Sequence, residues 1–175
     1  HKFMTATVGV DNKDELLIVG IMCPLFPEQM MLMKNVAEEK IHQSILLARK
    51  IGAKIVTLAG FTSIMMNELN NFSEKIGIPV TSGNTLTASL CIEGVERALG
   101  LAHRDLKDCS ITIVGATGDI GSICAKFFWG KAKTLVLSSR SIKDSDPIVK
   151  ELSVGNKTKI RVERLAIEAI KDADI

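Results

Sequence analysis

Residues Ile111 to Gly121 read Ile-Thr-Ile-Val-Gly-Ala-Thr-Gly-Asp-Ile-Gly. Four residues typical of a β-strand run directly into three glycines spaced three apart, and a helical pattern follows from Ser122 to Phe128. A strand, a glycine turn and a helix in this order are typical of the opening of a dinucleotide-binding βαβ unit. The sequence therefore predicts a parallel sheet of the Rossmann type around this stretch.

The glycines of this stretch have a physical role in such a unit. A pyrophosphate must approach the backbone N–H groups at a helix N-terminus, where the helix dipole favours negative charge. Side chains at Gly115 and Gly118 would block that approach, and the missing side chain at Gly121 lets the helix lie close to the strand. The alternative is a plain tight turn between strand and helix. The residues predicted to bind cofactor here are Gly115, Ala116, Thr117, Gly118, Asp119, Ile120 and Gly121.

A second strand pattern, from Lys133 to Leu137, indicates which nicotinamide cofactor is bound. It is followed by Ser138, Ser139 and Arg140, and residues 134–143 contain no Asp or Glu. A site for NAD usually places an acidic residue about 20 residues past the glycines, where it holds the ribose 2′-hydroxyl. Hydroxyls and an arginine suit a 2′-phosphate instead, so the sequence favours NADP(H). The alternative is that Arg140 is only a surface charge at a strand end.

Composition narrows the class of protein. The chain has 175 residues, a formal net charge of +2, 46% apolar residues and only 4% aromatic residues. The small net charge indicates no nucleic-acid partner, and no apolar run reaches the length of about 18 residues that spans a membrane. Histidines and cysteines lack metal-ligand spacing, so no metal site is predicted. Cys91, Cys109 and Cys124 are predicted to be reduced core residues and Cys23 the exposed thiol, and we expect a cytoplasmic location.

The first hundred residues show a different α/β pattern. A hairpin is predicted from Phe3 to Met22, one long amphipathic helix from Pro27 to Ile51 and a further helix from Ile64 to Ile76. Two short strands each end in a loop of glycine with hydroxyl or amide side chains, and ligands of open α/β sheets lie beyond the carboxyl ends of strands. The alternative is that these side chains only cap helices. The predicted substrate residues are Thr62, Ser63, Asn84 and Thr85.

These patterns predict a two-domain α/β protein. Residues 1–105 form an α/β domain that faces the substrate, and residues 109–175 form the first half of a Rossmann-type domain that binds NADP, with a boundary at 104–109. A complete Rossmann sheet needs more strands than residues 111–175 can supply. We therefore expect the chain to be truncated at its C-terminus and to be part of a longer protein. Whether it forms a homo-oligomer is left open.

Three motifs resemble those of one family of reductases. They are Leu-Ala-Gly-Phe-Thr-Ser-Ile at 58–64, Thr-Ser-Gly-Asn-Thr-Leu-Thr-Ala at 81–88 and Val-Gly-Ala-Thr-Gly-Asp-Ile-Gly-Ser at 114–122. They look like the aldehyde-forming long-chain acyl-acyl carrier protein reductases and the predicted amino-acid dehydrogenases grouped with them. The resemblance implies an NADPH-dependent reductase that converts a fatty acyl thioester to an aldehyde through an acyl-cysteine intermediate.

The chain departs from that family at two points. The family's Thr-Gly-Asn-Thr motif is typically followed by His, and here that position is Leu86. The cysteine that carries the acyl group in the family lies beyond Ile175, and none of the four cysteines matches it. The sequence therefore names no catalytic residue.

The first hypothesis is an NADP(H)-dependent oxidoreductase that reduces a carbonyl or an acyl thioester. Its substrate would be a small molecule or an acyl group linked to a carrier. One alternative is an amino-acid dehydrogenase or a shikimate-type dehydrogenase, which Asn84-Thr85 resembles more loosely. The other is a regulatory module that senses NADP without turnover.

Overall fold

A computed structural model of the protein describes residues 3–10, 14–65, 76–143, 146–154 and 158–175. The chain forms two compact units, His1–Gly83 and Asn84–Ile175. The helix Asn84–Leu101 lies within residues 1–105, the predicted substrate domain, but belongs to the second compact unit. The functional division near residues 104–109 stays a prediction.

The first unit combines a hairpin, helices and a small parallel sheet. The hairpin is confirmed, because β1 pairs antiparallel with β2, while β3 and β4 pair in parallel. Its core packs α2 against the parallel strands through the buried residues Ile41, Ile45, Leu58, Ile76 and Ile78. Its described elements are β1 (Phe3–Val10), β2 (Asp14–Ile21), α1 (Pro27–Leu32), α2 (Lys34–Lys50), β3 (Val56–Thr57), α3 (Phe61–Met65) and β4 (Val80–Thr81).

One predicted helix of this unit is divided in two. Pro27 begins α1 as the sequence predicts, because its fixed φ and missing N–H suit a first helical residue. The backbone of Met33 then leaves the helical region, with φ −119° and ψ 56°, and this break separates α1 from α2. The prediction of a single helix is wrong at this residue. The helix predicted from Ile64 to Ile76 lies mostly outside the described residues.

The second unit is a three-stranded parallel sheet with helices. The strand order is β5-β6-β7, and Val114 of β5 lies opposite Ser138 of β6. The predicted α/β fold with a Rossmann-like parallel sheet is therefore confirmed. Its described elements are α4 (Asn84–Leu101), a 3₁₀ turn (Leu106–Asp108), β5 (Ser110–Val114), α5 (Asp119–Phe128), β6 (Thr134–Ser138), α6 (Pro147–Leu152), β7 (Lys159–Glu163) and α7 (Ala166–Ala169).

The second edge of β5 is also paired. The N–H of Ile175 donates to the O of Ser110 at 3.4 Å, and the N–H of Thr112 donates to the O of Ile175 at 2.8 Å. The N–H of Asp174 also donates to the O of Ser110, at 2.9 Å. The edge of β5 away from β6 thus bonds to the backbone of residues 174 and 175. In open α/β sheets, ligands bind beyond the carboxyl ends of the strands.

The side chain of Asp174 adds hydrogen bonds at this edge of β5. Because the side chain is charged, the stability that it contributes depends on pH. Its carboxylate accepts from the N–H of Ser110 at 2.8 Å and from Arg104 at 2.8 Å. The bond from Ser110, followed by Arg104, lowers the pKa of Asp174. A carboxyl group with a lowered pKa stabilises the fold above its unfolded pKa of about 3.9, and the stabilisation is lost as pH falls through the folded value.

Asp174→Asn should therefore melt at a lower temperature than the wild type at about pH 7, and the gap should close towards about pH 3. Thermal unfolding followed by circular dichroism at the two pH values measures this. A gap of the same size at both values would show that the Asp174 charge does not contribute.

The cysteines depart from the prediction. Cys109 and Cys124 are buried, but Cys91 is exposed and Cys23 is only half-buried. Burial raises the pKa of the Cys23 and Cys124 thiols. Cys91 lies on α4 among Leu90 and Ile92, and only Ile92 faces the core, so its apolar neighbours in sequence were misleading. Within the described ranges, no helix is long and apolar enough to cross a membrane, and no three His, Cys, Asp or Glu side chains are grouped to hold a metal.

Candidate functional site

The glycine turn connects β5 to α5 and is held by the neighbouring strand. Gly115 has φ +85°, a conformation that residues with side chains rarely adopt. The N–H groups of Gly115 and Ala116 both donate to the O of Ser138, at 2.7 and 3.0 Å. The N–H of Gly118 then donates back to the O of Gly115 at 2.9 Å, which closes the turn. The end of β6 thus fixes the backbone of the turn.

Gly118 and Gly121 differ in what surrounds them. A Cβ on Gly121 would lie 2.2 Å from the O of Gly115 and 2.8 Å from its carbonyl carbon, so the close packing of α5 on the turn excludes a side chain there. A Cβ on Gly118 would meet one described atom within 4 Å, the O of Gly115 at 3.4 Å, which is an ordinary contact. Gly118 also has φ −84°, which any residue can adopt. The fold alone therefore explains Gly121 but not Gly118.

The N-terminus of α5 opens beside Gly118. Asp119, Ile120 and Gly121 are the first three helical residues, so their N–H groups have no acceptor within the helix. The first intrahelical bond runs from the N–H of Ser122 to the O of Gly118, at 2.8 Å. Gly118 and Asp119 are both exposed. Unused N–H groups and the positive end of the helix dipole suit an anion at this place.

The end of β6 adds hydroxyls and a cation to the same edge. The hydroxyls of Thr117 and Ser139 lie 2.9 Å apart, which joins the glycine turn to the residues after β6. Arg140 is exposed, and no carboxylate of the described ranges forms an ion pair with it. Ser138 differs from Ser139 and Arg140, because it is 1% exposed and its Oγ has no hydrogen-bond partner among the described atoms. Its carbonyl holds the glycine turn, and a cofactor contact for its side chain stays a prediction.

The predicted substrate residues lie in two separate units. Thr62 and Ser63 belong to the first unit, within the first turn of α3. Their hydroxyls donate to the O of Ala59 at 2.8 Å and to the O of Gly60 at 2.7 Å. Because both residues lie inside the helix, the alternative that they are N-caps does not describe them. Their lone pairs remain able to accept a hydrogen bond.

Asn84 and Thr85 begin α4 in the second unit. Thr85 is exposed. The amide Nδ2 of Asn84 donates to Oδ2 of Asp119 at 2.9 Å, so a predicted substrate residue touches a predicted cofactor residue. The contact joins residues 35 positions apart in the chain and was not predicted. The available signal for this contact was that both helices begin with a polar residue.

The second unit is thus a Rossmann-like parallel sheet with a glycine turn at the carboxyl end of β5. No family model matches the chain. Over 128 residues it is 31% identical to a long-chain acyl-[acyl-carrier-protein] reductase of Synechococcus elongatus, which is 68% of this chain and 38% of that protein. Over 110 residues it is 28% identical to the aminotransferase PigE of a Serratia species, which is 62% of this chain and 13% of that protein. The chain therefore spans less than half the length of both relatives, and the similarity supports an oxidoreductase-like protein and nothing finer.

Proposed function

We propose that this chain is the NADP(H)-binding part of an oxidoreductase that reduces a carbonyl or an acyl thioester. The observation that carries the proposal is the open position at Gly118, at the N-terminus of α5 and beside the Thr117–Ser139 pair. No described atom excludes a side chain there, whereas a diphosphate on the helix N-terminus would exclude one. The similarity to a reductase over 68% of the chain supports the same class.

The residues present fit NADP(H). The unused N–H groups at the start of α5 would hold the diphosphate, because the exposed Gly118 leaves their approach clear. Ser139 and the exposed Arg140, which forms no ion pair with a described carboxylate, would hold the 2′-phosphate, since a guanidinium matches phosphate oxygens in geometry and charge. When bound, the cofactor supplies the hydride for the reduction. The chain's own residues bind and orient it.

The substrate belongs to the proposal as well. The name of the Synechococcus relative gives a fatty acyl group on its carrier protein as that protein's substrate. We propose the same class, a carbonyl or thioester carried by a small molecule or by an acyl carrier. Residues 1–105 would face the substrate through Thr62, Ser63, Asn84 and Thr85, and residues 109–175 would hold the cofactor. A cytoplasmic location is part of this proposal.

Arg140→Ala tests the choice of cofactor. The variant should bind NADPH about 10- to 100-fold more weakly, because a hydrogen bond to a charged group contributes about 1.5–3 kcal/mol. NADH lacks the 2′-phosphate, so its affinity should not change. Isothermal titration of both cofactors measures the difference.

Lys143→Ala is the matched control for Arg140→Ala. It removes one exposed positive charge from the same connection after β6. Its NADPH affinity should stay close to that of the wild type. Equal losses for NADPH and NADH in Arg140→Ala, or the same loss in Lys143→Ala, would refute a 2′-phosphate role for Arg140.

Catalysis is tested separately from binding. In the full-length protein, oxidation of NADPH should occur with a long-chain acyl thioester, on coenzyme A or on acyl carrier protein, and should release an aldehyde. Amino-acid-derived carbonyls and shikimate-like ketones are the comparison substrates. Tight NADPH binding with no oxidation by any of them would contradict the reductase and favour a module that only senses the cofactor.

A further inference from the structure

We infer that Asn84 is a positioning residue for the cofactor diphosphate, which it serves by holding the Asp119 carboxylate to one side of the α5 N-terminus. The inference rests on the proposed function. The hydrogen bond from Asn84 to Asp119 carries it, at 2.9 Å.

The two residues occupy equivalent places in their helices. Asn84 is the first residue of α4, and Asp119 is the first residue of α5. Below them the helices share one core, in which Ala88 and Ile92 of α4 are buried together with Cys124 and Ala125 of α5. This shared core places the two N-termini side by side, so the Asn84 amide reaches the Asp119 carboxylate.

Asp119 by itself is a problem for a site that binds an anion. A carboxylate at the start of a helix is attracted by the same unused N–H groups and the same dipole that attract a phosphate. An unrestrained Asp119 side chain could turn back onto the N–H groups of its own first turn and compete with the ligand. It would also repel a diphosphate placed against those groups, since like charges at short range oppose each other.

The amide of Asn84 removes part of this competition. By donating to Oδ2 it turns one carboxylate oxygen towards α4, and a hydrogen bond to an ionised group is among the stronger polar interactions in proteins. Asn84 is neutral and so does not cancel the charge. It holds the charge next to the first residue of α4. Asn84 would then contribute to cofactor affinity without contacting the cofactor.

Asn84→Ala should weaken NADP⁺ binding about five- to tenfold, the range expected when one hydrogen bond to a charged group is lost at a partly exposed site. Asp119→Asn should bind NADP⁺ at least as tightly as the wild type, because the competing charge is gone. Adding Asn84→Ala to Asp119→Asn should then change the affinity little. Ser89→Ala, an exposed substitution farther along α4, is the control and should bind like the wild type.

A smaller ligand separates positioning from damage to the fold. Adenosine 2′-monophosphate carries the 2′-phosphate but no diphosphate, so Asn84→Ala should bind it as the wild type does. Equal losses for NADP⁺ and for this ligand, or a loss in the Asp119→Asn background as large as in the wild type, would overturn the inference. Failure of the wild type itself to bind NADP⁺ would refute the proposed function, and the inference with it. Normal wild-type binding with no effect of Asn84→Ala would refute the inference alone.

Discussion

Gly121→Val is expected to unfold the second unit or to destabilise it severely. The new Cβ would lie 2.2 Å from the O of Gly115 and 2.8 Å from its carbonyl carbon, which are backbone atoms and cannot move aside as a flexible side chain can. The strand β5 and its bonds to Ser138 hold that carbonyl group in place. Overpacking of this kind costs about 1–3 kcal/mol, occasionally more, in a domain of marginal total stability. We expect a fall in melting temperature on the order of 10 °C or more.

Gly94→Ala is the control for this prediction. Gly94 lies inside α4, and a Cβ there would meet no described atom within 4 Å. Alanine is the better helix former by about 0.8–1.0 kcal/mol, so this variant should melt at a higher temperature than the wild type. Circular dichroism melts of the two variants compare the addition of a Cβ at two helical glycines, one with and one without backbone atoms in the way. A Gly121→Val protein as stable as the wild type would show that α5 does not pack on the turn as described.

Much of the second unit could be predicted because its signals are local. Strand, glycine turn and helix follow one another within residues 111–128. The next strand, β6, is a mostly apolar run of the kind that parallel sheets bury on both faces. The structure places β5, α5 and β6 within a few residues of the predicted bounds. The hydroxyls and arginine after β6 could be assigned to the same edge because parallel neighbours end together. The Thr117–Ser139 bond follows from that register.

The parts that sequence reasoning missed depend on distant contacts. The Asn84–Asp119 bond requires knowing which face of α4 packs on α5, and no local pattern states this. The break at Met33 interrupts a run whose helical spacing continues across it. Tertiary packing decided each of these cases, and local propensity did not.

Gly118→Val is expected to abolish NADP(H) binding while the second unit stays folded. The position has φ −84° and only the O of Gly115 near its Cβ, at 3.4 Å, so the change should cost no more than about 1 kcal/mol at a helix N-cap. The added methyl groups would occupy the space through which a diphosphate reaches the N–H groups of α5. We expect the dissociation constant of NADPH to rise by more than about 100-fold, because the ligand loses its charge-assisted hydrogen bonds together.

Gly118→Ala should show a smaller loss of NADPH affinity, because the single methyl group of alanine fills less of the approach than the three side-chain carbons of valine. Its NADPH affinity should lie between those of the wild type and Gly118→Val. The two variants should melt within a few degrees of each other, which separates this glycine from Gly121, where the fold itself fails. The contrast tests the turn directly, because Gly121 is needed for folding and Gly118 for ligand binding. A folded Gly118→Val protein that binds NADPH as tightly as the wild type would leave only a tight connection between β5 and α5, and the proposed cofactor site would be wrong.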